Sequence, residues 1–365
     1  MNQVQWEASL WEFLFSFFFF NVILCVSFLC ARDCKIRQLP WLLALFFCVF
    51  AFWDTDYYSF RYFFYHPVSD FRDPLYYYLT YPAFGIYPIY RLIIWGCALY
   101  LFRKTCNRFG VNGNVSAYVF VAFFLLTFSF ARASLGMALY FYGLSLLLKP
   151  NLLHRVDSYL WGIVFILLSY FGHRSMLPLI VMTPLAFVKI TRFRIFLLLC
   201  LFPLMIWGIR TIMLYFIDLD SSNGQLGEFS DAVRSYATSG DFVLNWKFAL
   251  ITFLRNASHY LLCAYLLWMV WLKRSYCSVP LYIKRFVTFS IAISCIAVSL
   301  SLSDIGVATV TSKRYLYMTG IPLSISLVYL VQEKKCSWRI LNLLLIPSYL
   351  WAEAFFIGKL FSYYL

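Results

Sequence analysis

Arg132 sits where two long apolar runs meet, in the segment Phe130-Ala131-Arg132-Ala133-Ser134-Leu135-Gly136-Met137-Ala138. A cation at a bilayer centre costs roughly 2.5–3.5 kcal/mol on insertion scales, so one kept beside a span needs a reason. Either it snorkels to the headgroups, or it faces a cavity and holds an anion with its planar fork. Other cations occupy similar places. Arg174 lies in Gly172-His173-Arg174-Ser175, a polar break between apolar runs, and Lys313-Arg314 opens another run. Arg210 lies within an apolar stretch, and Arg255 and His259 stand four apart, on one face of a helix. Pairing with an aspartate or snorkelling accounts for any one of these. Their recurrence at the same side of the membrane favours a shared anionic ligand.

Two polar stretches separate the apolar runs. The first holds Asp54-Thr55-Asp56-Tyr57-Tyr58, then Arg61, His66, Asp70, Arg72, Asp73 and Tyr76-Tyr77-Tyr78. The second, about 217–246, is acidic, with Asp218, Asp220, Glu228, Asp231 and Asp241 around Arg234. Aromatic rings beside hydrogen-bonding groups suit a sugar, which offers a C–H face and a ring of hydroxyls. Tyr57, Tyr58 and Tyr77 are the candidate sugar contacts, although an interfacial aromatic belt calls for tyrosine as well. Two carboxylates alone make a weak metal site, and aspartate also caps helices. No metal and no cofactor are expected.

The elements that must position these residues are membrane spans. The chain of 365 residues is 63% hydrophobic and only 13% charged, against roughly 25% charged in a soluble domain; its mean hydropathy is +0.76. Runs near 20 residues match the length needed to cross about 30 Å of hydrocarbon. The pattern predicts an all-α polytopic membrane protein with about 12 transmembrane helices, at 10–30, 39–54, 81–102, 115–131, 133–149, 156–172, 175–189, 195–216, 247–272, 285–303, 314–331 and 340–357. Residues 1–365 read as a single integral domain without linker or internal repeat. The first span has Glu7 and Glu12 before it and Arg32, Lys35 and Arg37 after it, the reverse of a signal peptide's charge order. The N-terminus is therefore expected outside, with 54–80 and 217–246 as external loops. In this topology 18 of the 30 Lys and Arg, but 3 of the 16 Asp and Glu, fall on the cytoplasmic side. The net charge of +14 is thus mainly an orientation signal, and nucleic acid is not an expected partner. None of the 11 cysteines falls in an external loop and none forms a CxxC pair, so no disulfide framework is expected.

Three places in the chain resemble the EpsG-like family of bacterial polysaccharide polymerases, which overlaps the Wzy-type O-antigen polymerases. One is Asp54-x-Asp56-Tyr57 leading into the aromatic stretch. Another is Arg132-Ala-Ser-Leu-Gly-Met-Ala, then a Lys149-Pro150 turn, a further span, and Phe171-Gly172-His173-Arg174-Ser175. Where the family usually reads Arg-Gln and Phe-His-x-Ser-Ala, this chain has Arg-Ala and Gly-His-Arg-Ser-Met. The third is Arg314-Tyr315-Leu316-Tyr317. Arg132 and Gly143 also fit an Arg-x₁₀-Gly pattern described for some O-antigen polymerases.

The resemblance implies a GT-C-like multi-spanning glycosyltransferase of the bacterial inner membrane, with its active site facing the periplasm or outside. Its substrates would be undecaprenyl-diphosphate-linked glycans. A growing glycan is transferred from that carrier to a new lipid-linked repeat, building O-antigen, capsule or exopolysaccharide. Membrane lipids surround it, and a chain-length regulator is a candidate partner. Diphosphate is a good leaving group, so the main requirements are cations at the departing charge and a base for the attacking hydroxyl. Arg132 is the first choice for the diphosphate, with Arg314, Arg210 and Arg174 beside it. His173 is the first choice of base, since an ordinary imidazole is neutral at neutral pH, and Asp56 is the second. A lipid-linked glycan flippase or another multi-spanning transporter would also need cations for diphosphate. Transporters often carry repeats and broken helices at mid-membrane, and neither is visible here. A membrane acyltransferase would call for a cytoplasmic cluster, and there His154 stands alone.

Overall fold

The structure, a computed structural model, describes residues 9–33, 38–51, 61–62, 64–66, 74–130, 133–151, 154–188, 200–201, 204–205, 207–208, 211, 254, 256–269, 279–301 and 315–362. Every regular element among them is helical. Among the described residues four stretches are long and apolar enough to cross a bilayer: Leu10–Arg32, Leu281–Ser299, Tyr315–Gln332 and Trp338–Gly358. This is a membrane protein of the helical type.

The chain divides into two compact units, Met1–Phe187 with Ser324–Leu365, and Val188–Leu323. The first unit opens with α1 (Leu10–Asp33), whose start is a reciprocal cap. The Ser9 amide and hydroxyl both donate to Glu12 Oε2 at 2.8 Å, and the Glu12 amide donates back to Ser9 Oγ at 3.3 Å. Then follow α2 (Leu39–Phe50), the short α3 (Pro74–Tyr78) and α4 (Tyr87–Phe109). Helix α4 has Pro88 in its first turn and ends at Gly110, which takes the left-handed conformation at φ 71°. Asn112 caps α5 (Gly113–Phe123), its Oδ1 accepting from the amides of Asn114 and Val115 at 2.9 and 3.1 Å. The apolar run expected at 115–131 is broken at Phe124 and resumes as α6 (Leu125–Phe130). Next come α7 (Ser134–Leu148), α8 (Arg155–Gly172) and α9 (Leu177–Met182).

Helix α1 lies against α2 and α5, α2 against α4, and α4 against α7, which packs on α8. At the far end of the chain α13 (Trp338–Ser362) closes on α5. Tyr118 there donates to Asn342 Oδ1 at 3.0 Å, and Phe356 meets Phe13, Phe17 and Phe20. The ends of α4 and α7 are tied by an exchange between two cations. Arg108 Nη2 donates to the Lys149 carbonyl, and Lys149 Nζ donates to the Arg108 carbonyl at 2.7 Å. Each side chain thereby satisfies a carbonyl left open at the other helix's C-terminus. Burial holds the Arg108 guanidinium below its usual pKa. The C-terminal ends of α4 and α7 are fastened to each other in this way.

In the second unit the described helices are α10 (Ala257–Leu267), which packs on α11 (Leu281–Ser301). The chain returns to the first unit along α12 (Gly320–Gln332). The expected external segment 217–246, and most of the span expected at 195–216, lie outside the described residues. The nine described cysteines carry free thiols.

Candidate functional site

Helices α7 and α8 approach through two glycine pairs. A Cβ on Gly143 would lie 2.7 Å from the Gly162 carbonyl oxygen, and a Cβ on Gly172 would lie 3.0 Å from Gly136 Cα. With no side chain at these four positions the backbones come into direct contact, as small residues allow between membrane helices. The second pair matters most for chemistry. A Cβ on Gly136 would sit 3.4 Å from the His173 amide nitrogen and 3.1 Å from Ser169 O. The segment that follows Arg132 therefore abuts the His173 turn, although the two are separated by 35 residues and a complete helix pair.

His173 ends α8. Its backbone is extended at φ −167°, ψ 127°, and its amide donates to Ser169 O at 3.0 Å. The ring then caps the 3₁₀ turn Arg174–Met176: Nδ1 accepts from the Ser175 amide at 3.1 Å and lies 2.6 Å from Ser175 Oγ. An amide proton can be received only by an unprotonated nitrogen, so the neutral ring carries its proton on Nε2. In this arrangement His173 is a hydrogen-bond donor at Nε2. Accepting a further proton would put it on Nδ1 and break the cap. Met176, fully buried, anchors the turn from below, while Arg174 is exposed.

A cation that sequence reading passed over lies close to the same region. Arg91, in the second turn of α4, is 1% exposed. Its Nε donates to the Cys48 carbonyl at 2.8 Å, and Nη2 donates to that carbonyl and to the Ser129 carbonyl, the latter at 2.9 Å. The guanidinium lies 4.2 Å from the centre of the Trp95 ring. Trp95 Nε1 donates to Phe128 O at 2.8 Å, and Ser134 Oγ donates to the same oxygen at 2.7 Å. The signal was available: a single Arg inside an otherwise apolar run is itself a functional flag.

Tyr77 lies on α3, which packs on α8. The element is held from within by Tyr76, fully buried, whose carbonyl accepts from Tyr90 Oη at 3.3 Å. Tyr77 and Tyr81 share a hydroxyl contact at 3.1 Å, with their rings nearly perpendicular. Tyr78, Tyr81 and Phe84 are exposed, and Phe84 adopts a left-handed φ of 50° ahead of Gly85 at 74°. A bulky residue in that region is strained, and here the strain turns the chain into α4.

In the second unit His259 is buried in a polar cluster. Its Nε2 is 2.6 Å from Thr319 Oγ1 and 3.3 Å from Ser294 Oγ, which lies 3.4 Å from Cys263 Sγ. These contacts tie α10 to α11 and to the chain just before α12.

Of the sequence-predicted site residues, His173, Arg174 and Tyr77 are described. Asp56, Tyr57, Tyr58, Arg132, Arg210 and Arg314 lie outside the described residues, as does Arg255. Among the described residues no group of three or more His, Cys, Asp or Glu is placed to hold a metal ion. Comparison with known proteins identifies no relative. No family profile, no curated protein and no solved structure matches the chain.

Proposed function

We propose that this protein is a polysaccharide polymerase of the Wzy type, a glycosyltransferase joining undecaprenyl-diphosphate-linked repeat units at the outer face of the bacterial inner membrane. The observation that carries the reading is the contact between Gly136 and the Gly172-His173 turn. It puts the two halves of the best family-like motif side by side. The reading includes about 12 spans in a GT-C-like arrangement, with the N-terminus and the Asp54–Pro82 stretch outside.

In the proposed reaction a hydroxyl oxygen of the acceptor sugar attacks the anomeric carbon of the donor. The bond from that carbon to the diphosphate oxygen breaks, and the diphosphate leaves with the electron pair. Direct displacement inverts the anomeric centre. Arg132 leads in stabilising the departing charge, supported by Arg314, Arg210 and Arg174. His173, with its proton on Nε2, contributes a donor to the same charge, so the proton of the attacking hydroxyl goes to Asp56. Tyr57, Tyr58 and Tyr77 supply stacking surfaces for sugars.

The test is the ladder of polymer lengths in cells lacking the chromosomal copy. Arg132→Lys should fall well short of wild type, because an ammonium does not reproduce a two-pronged contact with phosphate. A snorkelling cation would tolerate lysine, and a normal ladder would count against the mechanism. A dead polymerase still leaves single repeats exported; loss of all export points to a flippase.

Orientation is checked separately. Ser230→Cys should react with a membrane-impermeant thiol reagent applied from outside, and Lys104→Cys should not. The opposite result overturns the external placement of the site.

A further inference from the structure

We infer that Arg91 is a positioning residue that fixes, from inside the protein, where the Asp54-x-Asp56 and Arg132 segments begin; this rests on the polymerase reading above. Cys48 lies in the last turn of α2 and Ser129 in the last turn of α6. Carbonyls in a final helical turn have no partner within their own helix, and in hydrocarbon an unsatisfied one is expensive. One guanidinium nitrogen serves both of these carbonyls. The C-terminal ends of two helices, 81 residues apart in sequence, are thereby held within two hydrogen-bond lengths. The positive charge also faces the negative end of each helix dipole.

The two chain ends that Arg91 holds are the ones that lead into the candidate chemistry. Asp54 and Asp56 follow Cys48 by six and eight residues, and Arg132 follows Ser129 by three. At no more than about 3.6 Å per residue, three residues span roughly 11 Å at most. Arg132 is bracketed on its other side by Ser134, whose hydroxyl returns to Phe128 O. That carbonyl also accepts from Trp95, and the Trp95 ring lies against Arg91. The described helix ends that precede Asp56 and Arg132 in the sequence thus belong to a single bonded cluster centred on Arg91. Lysine should replace it only in part: an ammonium has donors enough for both carbonyls, but it lacks the second bond to Cys48 O from Nε and the planar face against Trp95.

The experiment compares Arg91→Met, Arg91→Lys and wild type, each purified in detergent, by hydrogen exchange, alongside the polymer ladder in cells. Deuterium uptake in Arg91→Met should rise in peptides covering residues 45–58 and 125–136. Peptides in α8 and α13 should be unchanged, because an end released locally opens without global unfolding. Polymerisation should fall about 100-fold at wild-type membrane abundance, the scale of a misplacement near 1 Å. Arg91→Lys should lie between the two in uptake and in ladder. Wild-type uptake in both peptides would overturn the inference. So would uptake raised throughout the chain with lost abundance, which would make Arg91 a general stabiliser. A normal ladder from Arg91→Met in a strain where Arg132→Ala abolishes polymerisation would overturn it too. Failure of the polymerase reading shows instead at Arg132, as a ladder insensitive to that residue whatever Arg91 does.

Discussion

Replacing His173 with alanine should reduce polymerisation by roughly 10²–10⁴-fold, the range seen when a group acting on the transferred proton or on developing charge is lost. Membrane abundance should hold, since the ring's bonds to Ser175 lie within its own turn. The more informative variant is His173→Asn. Its Oδ1 can accept from the Ser175 amide, as Nδ1 does now at 3.1 Å, and its amide nitrogen, standing where the ring has Cδ2, can still donate on the side of Nε2 from one ring atom nearer the backbone. A donor role therefore predicts that asparagine keeps a substantial part of the ladder that alanine loses. A base role predicts that asparagine is as inactive as alanine, because an amide does not take up a proton at neutral pH. Equal loss in both variants would return the base to His173 and remove it from Asp56. A full ladder from both would take His173 out of the reaction.

How far this site was legible in sequence depends on what each residue's signal consists of. Helix ends were readable because local chemistry sets them: Gly110 stops α4, Asn112 starts α5, and the break at His173 falls where Gly-His-Arg-Ser interrupts the apolar run. The break at Phe124 was not readable, since nothing in Phe123-Phe124-Leu125 departs from a helical, apolar pattern. The meeting of Gly136 with Gly172 was not readable from spacing, because a glycine's value to packing depends on what lies opposite. Arg91 shows the converse. Its charge was plain in the sequence, but its role depends on two carbonyls contributed by distant helices, and backbone acceptors leave no trace in residue type. The tautomer of His173 was hidden for the same reason: it follows from a backbone amide two residues away.

The largest packing effect should come from one methyl group. Gly143→Ala would place a Cβ 2.7 Å from Gly162 O and 3.0 Å from Ile166 N, both backbone atoms that cannot rotate aside. Ordinary contact begins near 3.4 Å, so α7 and α8 must part by about 0.7 Å or more. Overpacking of this kind costs about 1–3 kcal/mol. The control is Gly96→Ala in α4, where an added Cβ meets nothing within 4 Å. There the alanine should be neutral or stabilising by up to about 1 kcal/mol, from helix propensity alone. Identical substitutions in two helices of one unit should thus move thermal stability in opposite directions. Function should follow, because α8 carries His173 at its end and α7 follows directly on Arg132. Parting the helices by most of an ångström displaces these two residues relative to each other, and a shift near 1 Å is worth about 100-fold in rate. Gly143→Ala protein that reaches the membrane should therefore yield a short ladder, while Gly96→Ala yields a normal one. Equal melting temperatures and equal ladders would show that the close approach of α7 and α8 is not what holds the site together. A lowered melting temperature with a normal ladder would separate packing from chemistry. The glycine of the Arg132-x₁₀-Gly143 pattern would then be structural only.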